Sequence, residues 1–245
     1  MLQDPASAGF CVYVSPVSHR CGPTRGGCLL YGSSQRLPTP FRSLPSPRYA
    51  VMNPISRLAV RLGLRPAPAD PRSGRLVLAI ECLANQNARD LGAANAPCCD
   101  RLLLQILMSA GVGMVQIPCP EIQCLGFSRE RPPGSGIRSL LERPAGRACC
   151  RSLARRVADQ AAVYRDQGFE VLAVLGGNSQ SPACAVHPPE VMPRALEPES
   201  GLFMQELAAA LTARGLEVPL WAVRDADARL HAQDLERLRT RLEGP

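Results

Sequence analysis

From residue 74 onward, short apolar runs alternate with longer stretches in which apolar residues recur every three or four positions. The run "RLVLAIECL" (75–83) predicts a buried strand, "CDRLLLQILMSAG" (99–111) a helix stopped by glycine, and "GMVQIPC" (113–119) a second strand. A long helix is expected over "RSLARRVADQAAVYRDQG" (151–168), followed by a third strand over "FEVLAVLGG" (169–177). "GLFMQELAAALTARG" (201–215), "EVPLWAV" (217–223) and "AQDLERLRTRLEG" (232–244) predict a helix, a fourth strand and a closing helix. Strands separated by helices imply right-handed crossovers. The expected fold is therefore α/β: Rossmann-like, three-layered, with a parallel sheet of four to five strands and helices on both faces. Residues 74–245 are expected to form one domain without internal repeats. The stretch from Pro120 to Cys150, with "RERPPGSG" and "RPAGRACC", reads as a long irregular lid over a site.

Residues 1–50 break this pattern. They have neither periodicity and are rich in Pro, Gly, Ser and Arg, so they read as disordered, or as an N-terminal extension ahead of a true start at Met52. No run approaches 18 consecutive apolar residues, and no charged n-region precedes an apolar h-region and a cleavage site. These features predict a cytoplasmic protein with no membrane partner. The formal charge is +7, and all 28 basic residues are arginine, which points to a coding bias. Residues 1–50 carry five arginines and one aspartate, leaving only +3 for the remainder. A nucleic-acid surface gains little from that.

Cysteine usage changes the picture more. Eleven cysteines, an odd number without a secretion signal, argue against a disulfide scaffold and for metal or redox chemistry. No CxxC pair occurs, which speaks against a zinc ribbon or a thioredoxin site. In an open parallel sheet, ligands bind beyond the carboxyl ends of the strands. Cys82 ends the first expected strand, Cys119 ends the second, and Cys184 lies in the loop after the third, so the three thiols can converge. Flanking prolines in "PCPE" and "SPAC" stiffen the backbone as a ligand loop requires. Three thiolates suit a zinc with one open position, or an iron–sulfur cluster with one iron lacking a protein ligand. Only His19, His187 and His231 are present, which favours the cluster while leaving zinc open. The plain alternative is three small core residues near strand ends.

Together, "CLANQNAR", "PCPE" and "GNSQSPAC" resemble the TudS-like thiouracil desulfidases, most closely an uncharacterised branch of desulfidases within that family. The resemblance spans roughly residues 76–225. It implies a [4Fe-4S] cluster held by Cys82, Cys119 and Cys184, whose fourth iron takes sulfur from a thiolated uracil and releases it as sulfide. Glu121 and Ser181 match the positions that the family uses for acid/base work and for handling water or substrate. Asn85, Asn87, Arg89 and Asn178 would line the pocket. The implied partner is a small thiolated molecule; nucleic acid is not expected, with thiolated tRNA as the exception left open, and the oligomeric state is undetermined. Two departures stand out. Ala185 replaces the glycine that commonly follows the third cysteine, which puts a tight turn of positive φ in question, and Cys124 adds a thiol that is either a bystander or a substitute ligand.

Remaining candidates have plain readings. Cys98 and Cys99 precede a helix and are expected simply to pack. Cys149 and Cys150 are expected just before the long helix, at a solvated start. His187 is a weak fourth-ligand or proton-shuttle candidate, and His231 is expected exposed at the opening of the last helix. The run "VLGGNSQ" lacks the spacing of either phosphate-binding glycine motif. A zinc or cysteine/serine hydrolase, and a non-catalytic cluster-bearing sensor or binding protein, remain as alternatives.

Overall fold

The computed structural model describes residues 70–187 and 196–243, together with Ile55, Leu58, Ala59 and residues 62–64. The chain divides into two units, Met1–Ala67 and Pro68–Pro245. Expectations for residues 1–50 lie outside the described residues. The second unit is an α/β fold built on one parallel sheet of four strands, β1 (Arg75–Ile80), β2 (Gly113–Ile117), β3 (Glu170–Gly176) and β4 (Leu220–Ala222), in the order β2-β1-β3-β4. Among the described residues no helix is long and apolar enough to cross a membrane.

The apolar run in β1 explains its central place. Leu76 to Ile80 are all buried, as expected of a strand covered on both faces. It pairs with β2 from Leu76↔Gly113 to Ile80↔Ile117, and with β3 from Arg75↔Glu170 to Ala79↔Leu175, with an irregularity between Leu76 and Val77. The chain leaves β1 toward β2 on one side and returns as β3 on the other. A crevice opens where these connections diverge.

Among the described residues of this unit, seven α-helices accompany the sheet: α1 (Glu81–Ala84), α2 (Arg101–Ser109), α3 (Pro120–Leu125), α4 (Ile137–Glu142), α5 (Pro144–Asp166), α6 (Leu202–Thr212) and α7 (Ala228–Glu243). Helix α5 packs along α6, and α2 packs against α7. On α2 the buried residues Leu103, Ile106 and Leu107 follow helical spacing, and Asp100 caps the helix by accepting from the Leu103 N–H at 3.1 Å. On α5 the buried stripe is largely small, with Gly146, Ala154, Ala158 and Ala161 among its members, which permits close approach to its neighbours.

Several boundaries differ from expectation. The first strand stops at Ile80, not Leu83, so Cys82 sits in the helical turn of α1 rather than on the strand. The second stops at Ile117, and Cys119 is the N-cap of α3. In both cases the pairing partners run out, and residues beyond that point have no ladder to hold them extended. The expected irregular lid is mostly helical: α3, α4 and the first turns of α5 occupy it, leaving 126–136 as the irregular part. Pro144 starts α5 at a position where its missing N–H costs nothing, so Cys149 and Cys150 lie within this helix rather than before it. His231 lies inside α7, partly buried, with Nε2 2.7 Å from Asp100 Oδ2; it is not an exposed opening residue.

The loop after β3 is held by the start of α6. Helix starts leave backbone N–H groups without partners. Here Leu202 N donates to Pro182 O at 3.1 Å and Phe203 N to Ala183 O at 3.1 Å. Gly201 makes this approach possible, because a Cβ at that position would collide with the backbone of Ala183 and Cys184. We therefore expect Gly201→Ala to cost about 1–3 kcal/mol, as overpacking against rigid backbone does. A denaturant midpoint equal to that of the unaltered protein would contradict this packing.

Candidate functional site

Beyond the carboxyl ends of β1, β2 and β3 lies a cavity of about 430 Å³, within the range of roughly 300–1,000 Å³ common for small-molecule sites. Cys82, Cys119 and Cys184 all line it, each delivered by a different segment of chain. Burial pushes the Cys82 thiol up to about 11, against the opposing pull of the Arg89 charge. The Cys119 thiol is likewise raised by burial, and Cys184 is raised well above the ordinary thiol range, by burial first and then by the neighbouring Cys82. In all three, burial disfavours the thiolate.

Each sulfur has its own polar neighbour. Arg89 Nη2 lies 3.7 Å from Cys82 Sγ, Arg129 Nη2 lies 3.5 Å from Cys119 Sγ, and Ser181 Oγ lies 3.0 Å from Cys184 Sγ. Ser181 Oγ also accepts from the Cys184 N–H at 3.1 Å, so it braces the loop as well as bonding the sulfur, where either atom can be the donor. Glu81, next to Cys82, accepts from the Cys119 N–H at 2.7 Å and ties the first two cysteine segments together. Gly177 lies so close to Cys184 that a Cβ there would stand 2.8 Å from its sulfur.

Glu121 lines the cavity from the first turn of α3. Its Oε2 accepts from Arg129 Nε at 2.8 Å, in a pair whose side chains are 13% and 2% exposed. Arg129 is the one non-glycine among the described residues with positive φ, at 47°, and its remaining donors reach Phe127 O and Ala88 O. This conformation is uncommon for a long side chain. It is maintained by an arginine whose donors are consumed by the walls of the site.

Arg89 and Asn178 also line the cavity, whereas Asn85 and Asn87 do not. Asn85 Oδ1 instead accepts from the backbone and side-chain N–H groups of Asn87, capping the short 3₁₀ turn Gln86–Ala88. The resemblance implied that they would line the pocket; in the structure their side-chain bonds are local. Ala185 needs no glycine. It is fully buried, it forms a parallel bridge with Gly177, and its φ is not positive.

Cys124 does not line the cavity. It forms a disulfide with Cys149, joining α3 to α5, and Cys150 Sγ lies 4.0 Å from Cys124 Sγ. It is therefore neither a free thiol nor a substitute ligand in this state. Cys98 and Cys99 lie with their sulfurs 3.6 Å apart at the surface. His187 Nε2 is 3.0 Å from Ser179 O, and among the described residues no histidine lines the cavity. Among the described residues no group of three or more His, Cys, Asp or Glu side chains is arranged to hold a metal ion.

Two residues central to the site were not singled out from the sequence. Arg129 had no signal beyond following the "CPE" stretch. Asp225 did have one: it follows β4 in "WAVRDAD", at the same carboxyl-end position that marked the cysteines. It is 6% exposed and pairs with Arg89 at 2.7 Å, while Gln86 Nε2 and Asn178 Nδ2 donate to it at 3.0 and 2.8 Å. Burial pushes its carboxyl up, but the Arg89 hydrogen bonds and charge outweigh that and hold it below the usual range.

Arg129→Met should leave Glu121 without its cation in a partly closed site and cost about 3–5 kcal/mol. Arg131→Met, which removes an exposed partner of Asp90, should cost about 1 kcal/mol or less. Equal losses in thermal or chemical denaturation would refute the structural weight given to Arg129. Compared with family models, with curated proteins and with solved structures, the chain matches none of them.

Proposed function

We propose that this protein is an iron–sulfur-dependent desulfidase that converts the C=S group of a thiolated nucleobase, or a similar small thiocarbonyl compound, to C=O. The observation that carries this reading is the meeting of Cys82, Cys119 and Cys184 in one cavity with Glu121 and Ser181. Soft thiolates select zinc or iron–sulfur clusters. The three cysteines share one cavity and each sulfur has a polar neighbour, which suits the cluster reading.

The donor set fits such a group. Cys82, Cys119 and Cys184 would hold it, and the donors from Arg89, Arg129 and Ser181 would offset the negative charge collected on the sulfurs. When bound, a cluster with three protein ligands supplies one open iron, a soft Lewis acid able to polarise a thiocarbonyl and accept its sulfur. The chain's own contribution is to orient the substrate and to manage protons. Arg129 takes Oε2 of Glu121 and fixes the carboxylate beside Cys119, leaving Oε1 to remove a proton from the water that replaces sulfur at the ring carbon. Asn178 at the cavity wall uses its amide to hold Asp225 and the Ala226 N–H, so it shapes the wall more than it reaches for substrate.

The cavity also favours an uncharged substrate. Its two arginines are each committed to a carboxylate, Arg89 to Asp225 and Arg129 to Glu121, and Asp90 adds a further acid to the lining. A free base or nucleoside suits this balance better than a nucleotide or thiolated tRNA. We take the protein to work in the cytoplasm.

Anaerobic reconstitution with iron and sulfide should give a brown protein with broad visible absorbance and bound iron and labile sulfide. Replacing Cys82, Cys119 or Cys184 singly by serine should lower both, while Cys98→Ser should not. A colourless, iron-free product from the unaltered chain would sink the proposal. In the loaded protein, Glu121→Gln should keep the visible spectrum and slow turnover of 2-thiouracil or 4-thiouracil by about 10²–10⁴-fold, the usual contribution of a positioned acid or base. Undiminished turnover would remove Glu121 from the chemistry.

A further inference from the structure

Asp225 is the hub of a buried polar network at the crevice. Arg89 Nη2 lies 2.7 Å from both of its oxygens, Gln86 Nε2 lies 3.0 Å from Oδ2, and Asn178 Nδ2 lies 2.8 Å from Oδ1. The donors come from the turn after β1 and from the loop after β3, while Asp225 itself follows β4. One carboxylate thus ties three strand ends together around the crevice.

Arg89 is not exhausted by this pairing. Its side chain is 8% exposed, Nη1 reaches Ala93 O at 3.1 Å, and Nη2 also reaches Cys82 Sγ. Its Nε–H is buried and has no partner. A buried donor without an acceptor is costly, about 1–3 kcal/mol, and native structures rarely leave one unpaired without an explanation. Arg89 lines the cavity that holds the three thiols.

We propose that Asp225 is the positioning residue of this site: it anchors Arg89 so that one guanidinium N–H is given to the Cys82 sulfur and the Nε–H is kept for an acceptor atom of the bound thiocarbonyl compound. The inference rests on the desulfidase reading and deepens it. Asp225 does not touch the reacting atoms; it acts through Arg89. The planar fork of arginine matters here, because a lysine in its place cannot serve a carboxylate, a sulfur and a substrate atom at fixed angles. The requirement placed on the substrate is a carbonyl or ring-nitrogen acceptor beside the C=S group.

The test uses the full chain, loaded anaerobically with iron and sulfide, as Asp225→Asn, Arg89→Lys and the double variant Arg89→Gln/Asp225→Asn. The double variant leaves no unpaired buried charge, so it stays informative if either single variant fails to fold. All cysteines being intact, the variants should keep the iron and sulfide content of the unaltered protein. Loss of the donor to Cys82 should lower the cluster's reduction potential, because hydrogen bonds to sulfur favour the more negative reduced state. The kcat/KM for 2-thiouracil should fall about 10–100-fold, with a rise in KM, and Asp225→Glu should recover part of it. A purely structural role predicts lower thermal stability with the potential unmoved. Unchanged potential and KM in the loaded double variant would overturn the inference alone, whereas an iron-free unaltered protein would overturn the desulfidase reading and this inference with it.

Discussion

The pairing of β1 between β2 and β3, and its end at Ile80, is the constraint from which the site follows. A parallel ladder satisfies backbone groups only while neighbouring strands continue. Where it stops, N–H and C=O groups must find other partners or face a penalty. The Cys119 N–H finds Glu81, the Gly177 N–H finds Cys184 O, and the first N–H groups of α6 find Pro182 and Ala183. These three arrangements hold the three cysteine segments. The thiols meet because the backbone around them is being completed.

Within the crevice, charge is matched pair by pair. Arg129 is buried against Glu121, and Arg89 against Asp225. Such pairs add little net stability compared with apolar packing, yet removing one partner is expensive. They act as position-fixing devices: each arginine spends donors on the wall and also gives one to a cysteine sulfur. Arg129 tolerates φ of 47° to do so. Strain retained at such a place is consistent with a functional demand on geometry rather than with folding alone.

The Cys124–Cys149 disulfide adds a covalent link of a different kind. It connects α3, whose N-cap is Cys119 and whose first turn carries Glu121, to the long helix α5. The helix bearing two site residues is therefore tied to the layer that packs on α6. In the sequence these cysteines looked like a bystander and a solvated helix start. Their pairing depended on α5 beginning at Pro144, which local pattern did not mark strongly against the surrounding arginines and glycines.

The periodicity of apolar residues determined by itself the four strands, the principal helices α2, α5, α6 and α7, and the parallel three-layer arrangement, because periods of 2 and 3.6 and the burial of both sheet faces are local properties of the chain. It also marked Cys82, Cys119 and Cys184, since positions after strand ends are countable along a sequence, whereas Glu121 and Ser181 came only from the resemblance. What only the tertiary structure decided was direction and partnership. Asn85 and Asn87 turned to each other, Asn178 turned to Asp225, and His231 turned to Asp100. Asp225 and Arg89 are 136 residues apart, and Cys124 and Cys149 are separated by 25. Hydrogen bonds and ion pairs of this kind are set by where strand ends and helix faces arrive in space, and no periodicity along the chain encodes them.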